Sequence, residues 1–433
     1  MSVSPARHCA YTVVRRVFEQ GAYADRALAA EARDLDPRER AFAMALTYTT
    51  VQRRATLDHV LTRLADRSTD KLQPGLLAAL WLGLAQVLFL DGVAAHAAVH
   101  ESVELAKRDS RGAGGLANAV LRRAVREGPQ MVAGLDDATP EHAAIAHSVP
   151  EWLARLWFTE LGAEEARALL SVVNHPAESA LRVNTLVRGR EEVAQALGVP
   201  THPAPGLPEG LVVEAPFDAQ GSELWRAGAI MPQSRGSMTP PRVLAPRAGE
   251  RVLDLCAAPG AKTGQLAAMM GDEGTLVAVE RHPRRAAALR ETLALMHVTC
   301  AEVRTADAAT FDDCPGSFDR VLVDPPCSGL GTLQSRPDLR WRTSPERIAA
   351  SAALQERVLQ AAATAVGPGG VLVYSVCTIS RAESAGVVDR FCAHSEDFIV
   401  EPPEEPGPDG RYLQLLPHLH GTDGFFVARL HRR

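Results

Sequence analysis

Two cysteines in the C-terminal half of the chain each follow a short apolar run that has the composition of a buried strand. Residues 321–327 read Val-Leu-Val-Asp-Pro-Pro-Cys and contain Asp324 and Cys327, whereas residues 373–377 read Val-Tyr-Ser-Val-Cys and end in Cys377. A thiolate is a strong nucleophile, and a carboxyl group can exchange a proton with the group that is attacked. If the two strand ends meet, these three residues could carry out covalent catalysis.

One reaction that needs this set of groups is methylation of carbon 5 of cytosine. C5 becomes nucleophilic only after a thiolate has added to C6, and the thiol is eliminated once the methyl group is attached. Cys377, Asp324 and Cys327 could supply the nucleophile, the acid for N3 and the second thiol near C5. The alternative is methylation of an exocyclic amine, in which an aromatic residue follows Asp-Pro-Pro. Cys327 stands at that position and disfavours this alternative.

A second candidate site lies in residues 252–270, where an apolar run is followed by a turn and a helical segment. Residues 253–263 read Leu-Asp-Leu-Cys-Ala-Ala-Pro-Gly-Ala-Lys-Thr. Backbone N–H groups in such a turn, together with the start of the helix, can face an anionic ligand. The segment has neither the phosphate-loop motif nor the dinucleotide fingerprint. We therefore expect the carboxylate of a methionine moiety at this turn rather than a pyrophosphate.

Two acidic residues extend this candidate site. Glu280 lies twenty residues after Gly260, at the end of the next predicted strand, where an acid can accept the ribose hydroxyl protons of an adenosine. Asp307 follows the apolar segment around Val303 and could contact adenine. Each acid alone could equally be a helix cap. Together with the turn, they favour an adenosyl cofactor without deciding which one.

The remaining cysteines indicate neither a metal site nor disulfides. The chain has seven cysteines and no CxxC or Cys/His spacing. An odd number without a compact framework is typical of free thiols in a reducing cytosol, and we expect no metal. Small buried apolar side chains are expected at four of these positions: Cys9, Cys300, Cys314 and Cys392.

The pattern of apolar residues predicts a multidomain protein. In residues 1–130 apolar side chains recur every three or four positions, which predicts an all-α domain. Residues 131–149 form a predicted linker and residues 150–240 a small α+β module. Residues 241–433 alternate strands and helices, which predicts an α/β Rossmann-like doubly wound sheet with ligands at the carboxyl ends of its strands. The predicted strands are 180–186, 211–213, 251–255, 275–279, 320–323, 371–374 and 425–430, the last after an acidic Pro-rich loop at 401–410.

Charge and hydropathy limit the partners of the protein. The formal net charge is -6, so any contact with a nucleic acid must use local basic patches. Residues 1–130 contain 18 Lys and Arg against 14 Asp and Glu, which makes the helical domain the better candidate. The longest apolar run, 76–90, is shorter than the ~20 residues of a membrane-spanning helix and predicts a buried core helix. We expect a cytoplasmic monomer with no membrane partner.

These residues resemble the motifs of the Sun/Fmu-type RNA cytosine-C5 methyltransferases. Five stretches carry the resemblance: LDLCAAPGAKT at 253–263, DPPCSGLG at 324–331, RPDLRW at 336–341, YSVCT at 374–378 and DGFF at 423–426. Residues 181–184 (LRVN) match the small RNA-contacting subdomain of that family. The helical N-terminal part resembles the antitermination factor NusB, most closely at 97–103 and 114–122. This combination, which covers nearly the whole chain, is the architecture of bacterial small-subunit (16S) rRNA methyltransferases.

The resemblance implies a role for each motif. The residue that matches the family nucleophile is Cys377, and Cys327 matches the cysteine that assists release. DNA cytosine methyltransferases instead use the cysteine that follows Pro. S-adenosyl-L-methionine is the implied cofactor, with small-subunit rRNA as the implied partner. The positions that match the cofactor site are Cys256, Ala257, Ala258, Pro259, Gly260, Ala261, Lys262, Glu280, Asp307 and Asp324.

Three positions depart from the family pattern, and two other functions stay open. Ala261 replaces a glycine, which is tolerable if its φ is negative. Val376 replaces the Thr before the nucleophile, and Ser234 replaces an Asp. The chain could instead be a non-catalytic RNA-binding or ribosome-assembly factor. It could also methylate cytosine C5 in another RNA, such as tRNA.

Overall fold

The computed structural model describes residues 3–109, 112–403 and 410–433. The chain forms two compact units. The first extends to His175 and also includes Leu333–Thr343, and the second contains Pro176–Thr332 and Ser344–Arg433. Residues 404–409, in the predicted acidic loop, lie outside the described residues.

The first unit is helical, as the apolar periodicity predicts. Its centre is the helix Pro74–Phe89, in which Leu80, Leu82 and Leu84 are fully buried. A helix that is apolar on all sides is stable only when neighbours cover it, and other helices of this unit pack around it. The helices are Pro5–Gln20, Ala24–Glu31, Pro37–Gln52, Arg54–Ala65, Pro74–Phe89, Ala95–Asp109, Ala113–Ala133, Pro140–Ala146, Glu151–Leu161, Ala163–Val172 and Leu339–Arg342, with a 3-10 turn at Thr69–Lys71.

Residues 131–175 belong to this helical unit. The stretch predicted as a linker contains the end of one helix and the whole of Pro140–Ala146. The helix Pro140–Ala146 is hydrogen-bonded to the helix Arg54–Ala65, since the hydroxyl of Thr56 donates to the backbone carbonyl of Ile145 at 2.6 Å. Nothing local in the sequence shows these long-range bonds, so the predicted boundary at 150 differs from the division into compact units.

A distant segment, Leu333–Thr343, completes the helical unit. It carries the Arg-Pro-Asp-Leu-Arg-Trp stretch. Arg340 is fully buried and donates to the carbonyl of Ser148 at 3.0 Å and to the side-chain oxygen of Asn174 at 2.8 Å. The indole of Trp341 donates to the carbonyl of Val51 at 2.8 Å. This motif therefore has a structural function in the helical unit.

The second unit begins with a small antiparallel sheet whose strand order is β2-β3-β1-β4. The strands are β1 (Ala180–Val183), β2 (Thr201–Pro203), β3 (Gly210–Val213) and β4 (Ile230–Pro232), with helices Arg190–Ala196 and Glu223–Arg226. The sequence predicted β1 and β3. The strands β2 and β4 have three residues each, which is too short for an alternating pattern to be visible.

A larger sheet follows, with strand order β10-β12-β9-β8-β5-β6-β7 and β11 paired to β12. Its strands are β5 (Arg251–Asp254), β6 (Thr275–Val279), β7 (Ala301–Arg304), β8 (Phe318–Val323), β9 (Val366–Val376), β10 (Phe398–Glu401), β11 (Leu413–Leu415) and β12 (Phe425–Arg432). In this sheet the neighbouring strands β9, β8, β5, β6 and β7 are parallel to one another, whereas β12 runs antiparallel to β9. The predicted doubly wound sheet is confirmed, and β10 and β11 are additional strands.

The strand order places a crevice at the carboxyl ends of β5 and β8. The chain goes from β5 outward to β6 and β7 and then returns to add β8 and β9 on the other side. Loops that leave β5 and β8 therefore diverge, which is where open α/β sheets bind ligands. The helices of this part are Arg235–Leu244, Ala261–Met269, Pro283–Leu295, Pro345–Ala365, Ala385–His394 and Pro417–His420, with 3-10 turns at Ala308–Thr310 and Leu330–Thr332. No helix in the described ranges has the length and apolar character that crossing a membrane requires.

Candidate active site

The two predicted cysteines meet at the carboxyl ends of β8 and β9. The Sγ atoms of Cys327 and Cys377 are 3.4 Å apart, and both side chains are half-buried. The hydrogen bond with Cys377 and burial, together with nearby carboxylates, raise the pKa of Cys327 well above its usual value. Cys327 is therefore a protonated thiol, and its S–H group can donate to the sulfur of Cys377.

Asp324 lies between two further polar side chains. Lys262 Nζ is 2.6 Å from Asp324 Oδ2, and the hydroxyl of Ser375 donates to Oδ1 at 3.2 Å. Although burial acts to lower it, the pKa of Lys262 is raised by the charge of Asp324, with a contribution from Cys377. The lysine also lies 5.3 Å from the centre of the Phe425 ring. The sequence placed Lys262 with the cofactor turn, and the structure also pairs it with Asp324.

A buried carboxylate that the sequence analysis missed joins the two cysteine loops. Glu383 accepts hydrogen bonds from the backbone N–H of Ser328 at 2.8 Å and from the hydroxyl of Thr378 at 3.2 Å. Ser328 follows Cys327, and Thr378 follows Cys377. The available signal in the sequence was an acidic residue in the same loop as Cys377, which by itself is indistinguishable from a solvent-exposed loop residue.

The turn after β5 is held by buried polar groups. The hydroxyl of Thr263 donates to Asp254 Oδ2 at 2.8 Å, and burial raises the pKa of Asp254 to about 6. Burial also raises the pKa of Cys256, and the carboxylates of Asp254, Asp324 and Glu280 add to this effect. Cys256 is therefore an uncharged thiol surrounded by acids. The fold thus brings the turn, the end of β6 and the end of β8 together.

Gly260 and Ala261 form the start of the helix that follows this turn. Gly260 has φ +110°, and a Cβ atom there would overlap Leu289, so glycine is required at this position. Ala261 is the first residue of the helix Ala261–Met269, where φ is negative. The condition for replacing glycine by alanine at this position is met. The other turn residues, Ala257, Ala258 and Pro259, occupy the loop between the strand and the helix.

The two acids predicted to follow the next strands are found at those strand ends. Glu280 is buried, and its Oε1 accepts from the backbone N–H of His282 at 2.8 Å. Arg285 lies 3.4 Å from Glu280 Oε2 and also donates to the carbonyl of Ala258 at 3.0 Å, so it connects this acid to the turn. Asp307 caps a 3-10 turn and is more exposed. In the described residues, no group of three His, Cys, Asp or Glu side chains could hold a metal ion.

The small sheet connects to the same helices through the Leu-Arg-Val-Asn stretch. Arg182 is fully buried and donates to the side-chain oxygen of Gln233 at 2.8 Å and to the carbonyl of Ala261 at 3.3 Å. Asn184 is also buried and donates to the carbonyl of Met296 at 2.8 Å. Burial lowers the pKa of Arg182 to about 10. These two side chains position the small sheet against the sheet that carries the cysteines.

Three segments of the chain match known protein families. Residues 241–431 match the profile "16S rRNA methyltransferase RsmB/F", residues 4–126 match the NusB family, and residues 149–220 match the RsmF/B-like ferredoxin-like domain. The chain is 36% identical to ribosomal RNA small subunit methyltransferase B of Thermus thermophilus, over 91% of this chain and 89% of that protein. It belongs to the RsmB/F family of rRNA methyltransferases.

Other relatives agree with this assignment. The chain is 31% identical to ribosomal RNA small subunit methyltransferase B of Vibrio cholerae, over 99% of this chain and 97% of that protein. Among solved structures, that of PH0851 superposes with a TM-score of 0.85 at 26% identity and covers 100% of both chains. NSun6 from Pyrococcus horikoshii, solved with SFG, superposes with a TM-score of 0.61 at 24% identity, over 65% of this chain and 98% of that one.

For this RsmB/F methyltransferase the predicted fold class is confirmed, with a NusB-like helical part followed by a mixed-sheet methyltransferase domain. Its membership also identifies it as an rRNA methyltransferase that binds RNA. Whether the protein methylates carbon 5 or an exocyclic amine, and what each residue does, depends on the chemistry of the groups at the site.

Proposed function

We propose that this protein is a cytosine-C5 methyltransferase that acts on 16S rRNA, uses S-adenosyl-L-methionine and passes through a covalent bond between Cys377 and C6 of cytosine. The observation that carries the proposal is the 3.4 Å approach of the Cys327 and Cys377 sulfurs beside Asp324. C5 methylation requires a nucleophilic thiolate, an acid for N3 and a base or second thiol near C5, whereas methylation of an amine requires no thiol.

The residues around the β5 turn fit S-adenosyl-L-methionine. The helix Ala261–Met269 directs its N-terminal N–H groups into the turn, where a methionine carboxylate would lie. Gly260 leaves room where a Cβ atom would collide with its neighbours. Glu280 and Asp307, at the ends of β6 and β7, would bind the ribose and adenine. When bound, the cofactor supplies an electrophilic methyl group.

The protein residues would act in the following way. Cys377 adds as a thiolate to C6, and the S–H group of Cys327 stabilises that thiolate by donating to its sulfur. N3 takes up a proton from Lys262 through Asp324, because these two groups share a 2.6 Å hydrogen bond. After C5 has been methylated, its proton passes to solvent, the C5–C6 double bond forms again and the C6–sulfur bond breaks, so that Cys377 leaves as a thiolate. The proton then returns from N3 through Asp324, and Cys327 stabilises the departing thiolate.

A trapping experiment tests this proposal. Wild type, Cys327→Ala, Cys377→Ala and the control Cys392→Ala are incubated with labelled S-adenosyl-L-methionine and unmodified 16S rRNA, then separated on denaturing gels. We expect a stable protein–RNA adduct in Cys327→Ala alone and methyl transfer by wild type and the control. An adduct only in Cys377→Ala would reverse the two roles.

The RNA substrate is tested in the same assay. We expect 5-methylcytosine in 16S rRNA and none in a tRNA pool under the same conditions. Product found only in tRNA would change the assigned substrate. Absence of methyl transfer to either RNA, while a positive-control enzyme works, would contradict the proposed reaction and favour an RNA-binding role.

A further inference from the structure

Glu383 lies in the loop after β9, and its side chain is completely buried. Its Oε1 accepts from the backbone N–H of Ser328 at 2.8 Å, and its Oε2 accepts from the hydroxyls of Ser328 and Thr378. The two hydroxyls also lie 2.8 Å from each other. Because Ser328 is bonded to Cys327 in the chain and Thr378 to Cys377, one carboxylate joins the backbone segments that carry both sulfurs.

The other bonds of Glu383 fix its own position. The amide of Gln355 donates to Oε1 at 3.3 Å and to the carbonyl of Pro326 at 3.0 Å. The hydroxyl of Tyr374 donates to the backbone carbonyl of Glu383 at 2.7 Å. The partners of the carboxylate itself, on Ser328, Thr378 and Gln355, are all donors, which is the arrangement that suits an ionised group. Burial nevertheless raises the pKa of Glu383, and the hydrogen bonds from Ser328 oppose that effect.

A buried carboxylate without an ionic partner is costly unless its hydrogen bonds are all made. Within the described residues, Glu383 has no salt bridge, so the two cysteine loops provide much of what stabilises it. The same negative charge acts on the nearby thiol: after the hydrogen bond with Cys377 and burial, Glu383 is among the causes that raise the pKa of Cys327. Glu383 therefore acts on the cysteine pair in two ways, through hydrogen bonds to both loops and through its negative charge.

We propose that Glu383 is a positioning residue for methyl transfer, which holds the loops of Cys327 and Cys377 in one arrangement so that both sulfurs reach the same pyrimidine ring. This inference rests on the proposed two-cysteine reaction. Glu383 does not touch the reacting atoms, and it acts through the peptide group of Ser328 and the hydroxyl of Thr378.

Kinetics of Glu383→Gln give the first test. Glutamine keeps the length of the side chain, but its NH2 group cannot accept the bonds that one carboxylate oxygen accepts. In single turnovers we expect the methylation rate to fall at least 30-fold, with the KM for RNA and for S-adenosyl-L-methionine changed less than threefold. The matched control is Glu302→Gln, on the exposed side of β7, which should keep the wild-type rate. A Glu383→Gln rate within threefold of wild type would overturn the inference.

Thiol alkylation gives a second test that does not depend on methyl transfer. Wild type, Glu383→Gln and Glu302→Gln are treated with iodoacetamide at pH 8, and the modification of each cysteine is followed by peptide mass spectrometry. Removing the negative charge lowers the pKa of Cys327, so the ratio of Cys327 to Cys377 modification should rise at least threefold in Glu383→Gln alone. An unchanged ratio would contradict the link between Glu383 and the pair.

The two tests separate the failure of this inference from the failure of the proposed function. If wild type does not methylate cytosine but the alkylation ratio changes, the link between Glu383 and the cysteines is supported and the reaction is wrong. If wild type is active and Glu383→Gln changes neither rate nor ratio, the inference is wrong. Should Glu383→Gln fail to fold, Thr378→Val removes one donor to the same carboxylate. We expect about a tenfold loss of rate in that variant, and a wild-type rate would count against the inference.

Discussion

Gly331 and Gly424 are packed backbone against backbone, so closely that a Cβ atom on Gly331 would overlap the carbonyl group of Gly424. The N–H of Gly424 donates to the carbonyl of Gly331 at 2.8 Å, and the N–H of Gly331 donates to the carbonyl of Cys377 at 3.0 Å. Hydrogen bonds therefore run from the Asp-Gly-Phe-Phe stretch through Gly331 to Cys377. Two motifs far apart in the sequence thus support the same cysteine.

Gly331→Ala should disturb this contact strongly, because the methyl group meets main-chain atoms that cannot rotate away. We expect the free energy of unfolding to fall by about 3 kcal/mol, together with loss of methyl transfer. Urea unfolding and the methylation assay measure the two effects. The control is Gly115→Ala, where a Cβ atom meets nothing within 4 Å in a helix. There we expect stabilisation of up to about 1 kcal/mol. Equal effects of the two variants would contradict the packing argument.

Lys262→Met should remove the partner of Asp324 while keeping most of the side-chain volume. Because Asp324 would lose both a neutralising charge and its proton source, we expect the single-turnover methylation rate to fall about 100-fold. Lys71→Met, at an exposed position in the helical unit, is the control. A rate for Lys262→Met within threefold of that control would show that the Lys262–Asp324 pair does not take part in the reaction.

Asp254→Asn should change how stability depends on pH. The folded-state pKa of Asp254 is raised to about 6, so the folded protein holds this proton at pH values where the unfolded chain has lost it. The wild-type free energy of unfolding should therefore fall as pH rises from 4.5 to 7, by about 2 kcal/mol from this group alone.

The measurement is urea unfolding of wild type and Asp254→Asn at both pH values. Asparagine cannot ionise, so the difference in unfolding free energy between the two proteins should shift by that amount in favour of the variant at pH 7. A difference that is independent of pH would show that Asp254 titrates normally in the folded protein.

Arg340→Ala should destabilise the helical unit. The guanidinium group donates to several main-chain carbonyls, among them those of Ser148 and Val173, and its removal leaves buried acceptors without donors and an empty space. We expect a loss of about 4 kcal/mol. Hydrogen exchange should report faster opening near residues 147–149 and 172–174. The exposed Arg347→Ala should change neither stability nor exchange.

The residues that could do chemistry were recognisable because their signals are local. Cys327 and Cys377 each follow an apolar run, and in a parallel sheet such ends face one crevice. The cofactor turn was recognisable for the same reason, as a strand, a turn and a helix in succession. Glu383 has no such local signal, because its function depends on a hydrogen bond to Ser328, which lies in the loop after a different strand.

The domain division shows the same limit. Apolar periodicity predicted the helices of residues 1–130 and the alternation after residue 241, since both patterns repeat within a few positions. The sequence pattern groups the segment Leu333–Thr343 with the catalytic motifs around it, yet it packs in the helical unit. No local pattern could reveal this, because the partners of Arg340 are carbonyl groups, which every residue has.

The sequence by itself determined the types and order of the elements, the turn that suits an adenosyl cofactor and the two cysteines at strand ends. Only the tertiary structure decided which side chains act together: Lys262 with Asp324, and Glu383 with the loops of both cysteines. The physical reason is that hydrophobic periodicity acts along the chain. Hydrogen-bond partners across a sheet depend on strand order, which is decided by the packing of the whole domain.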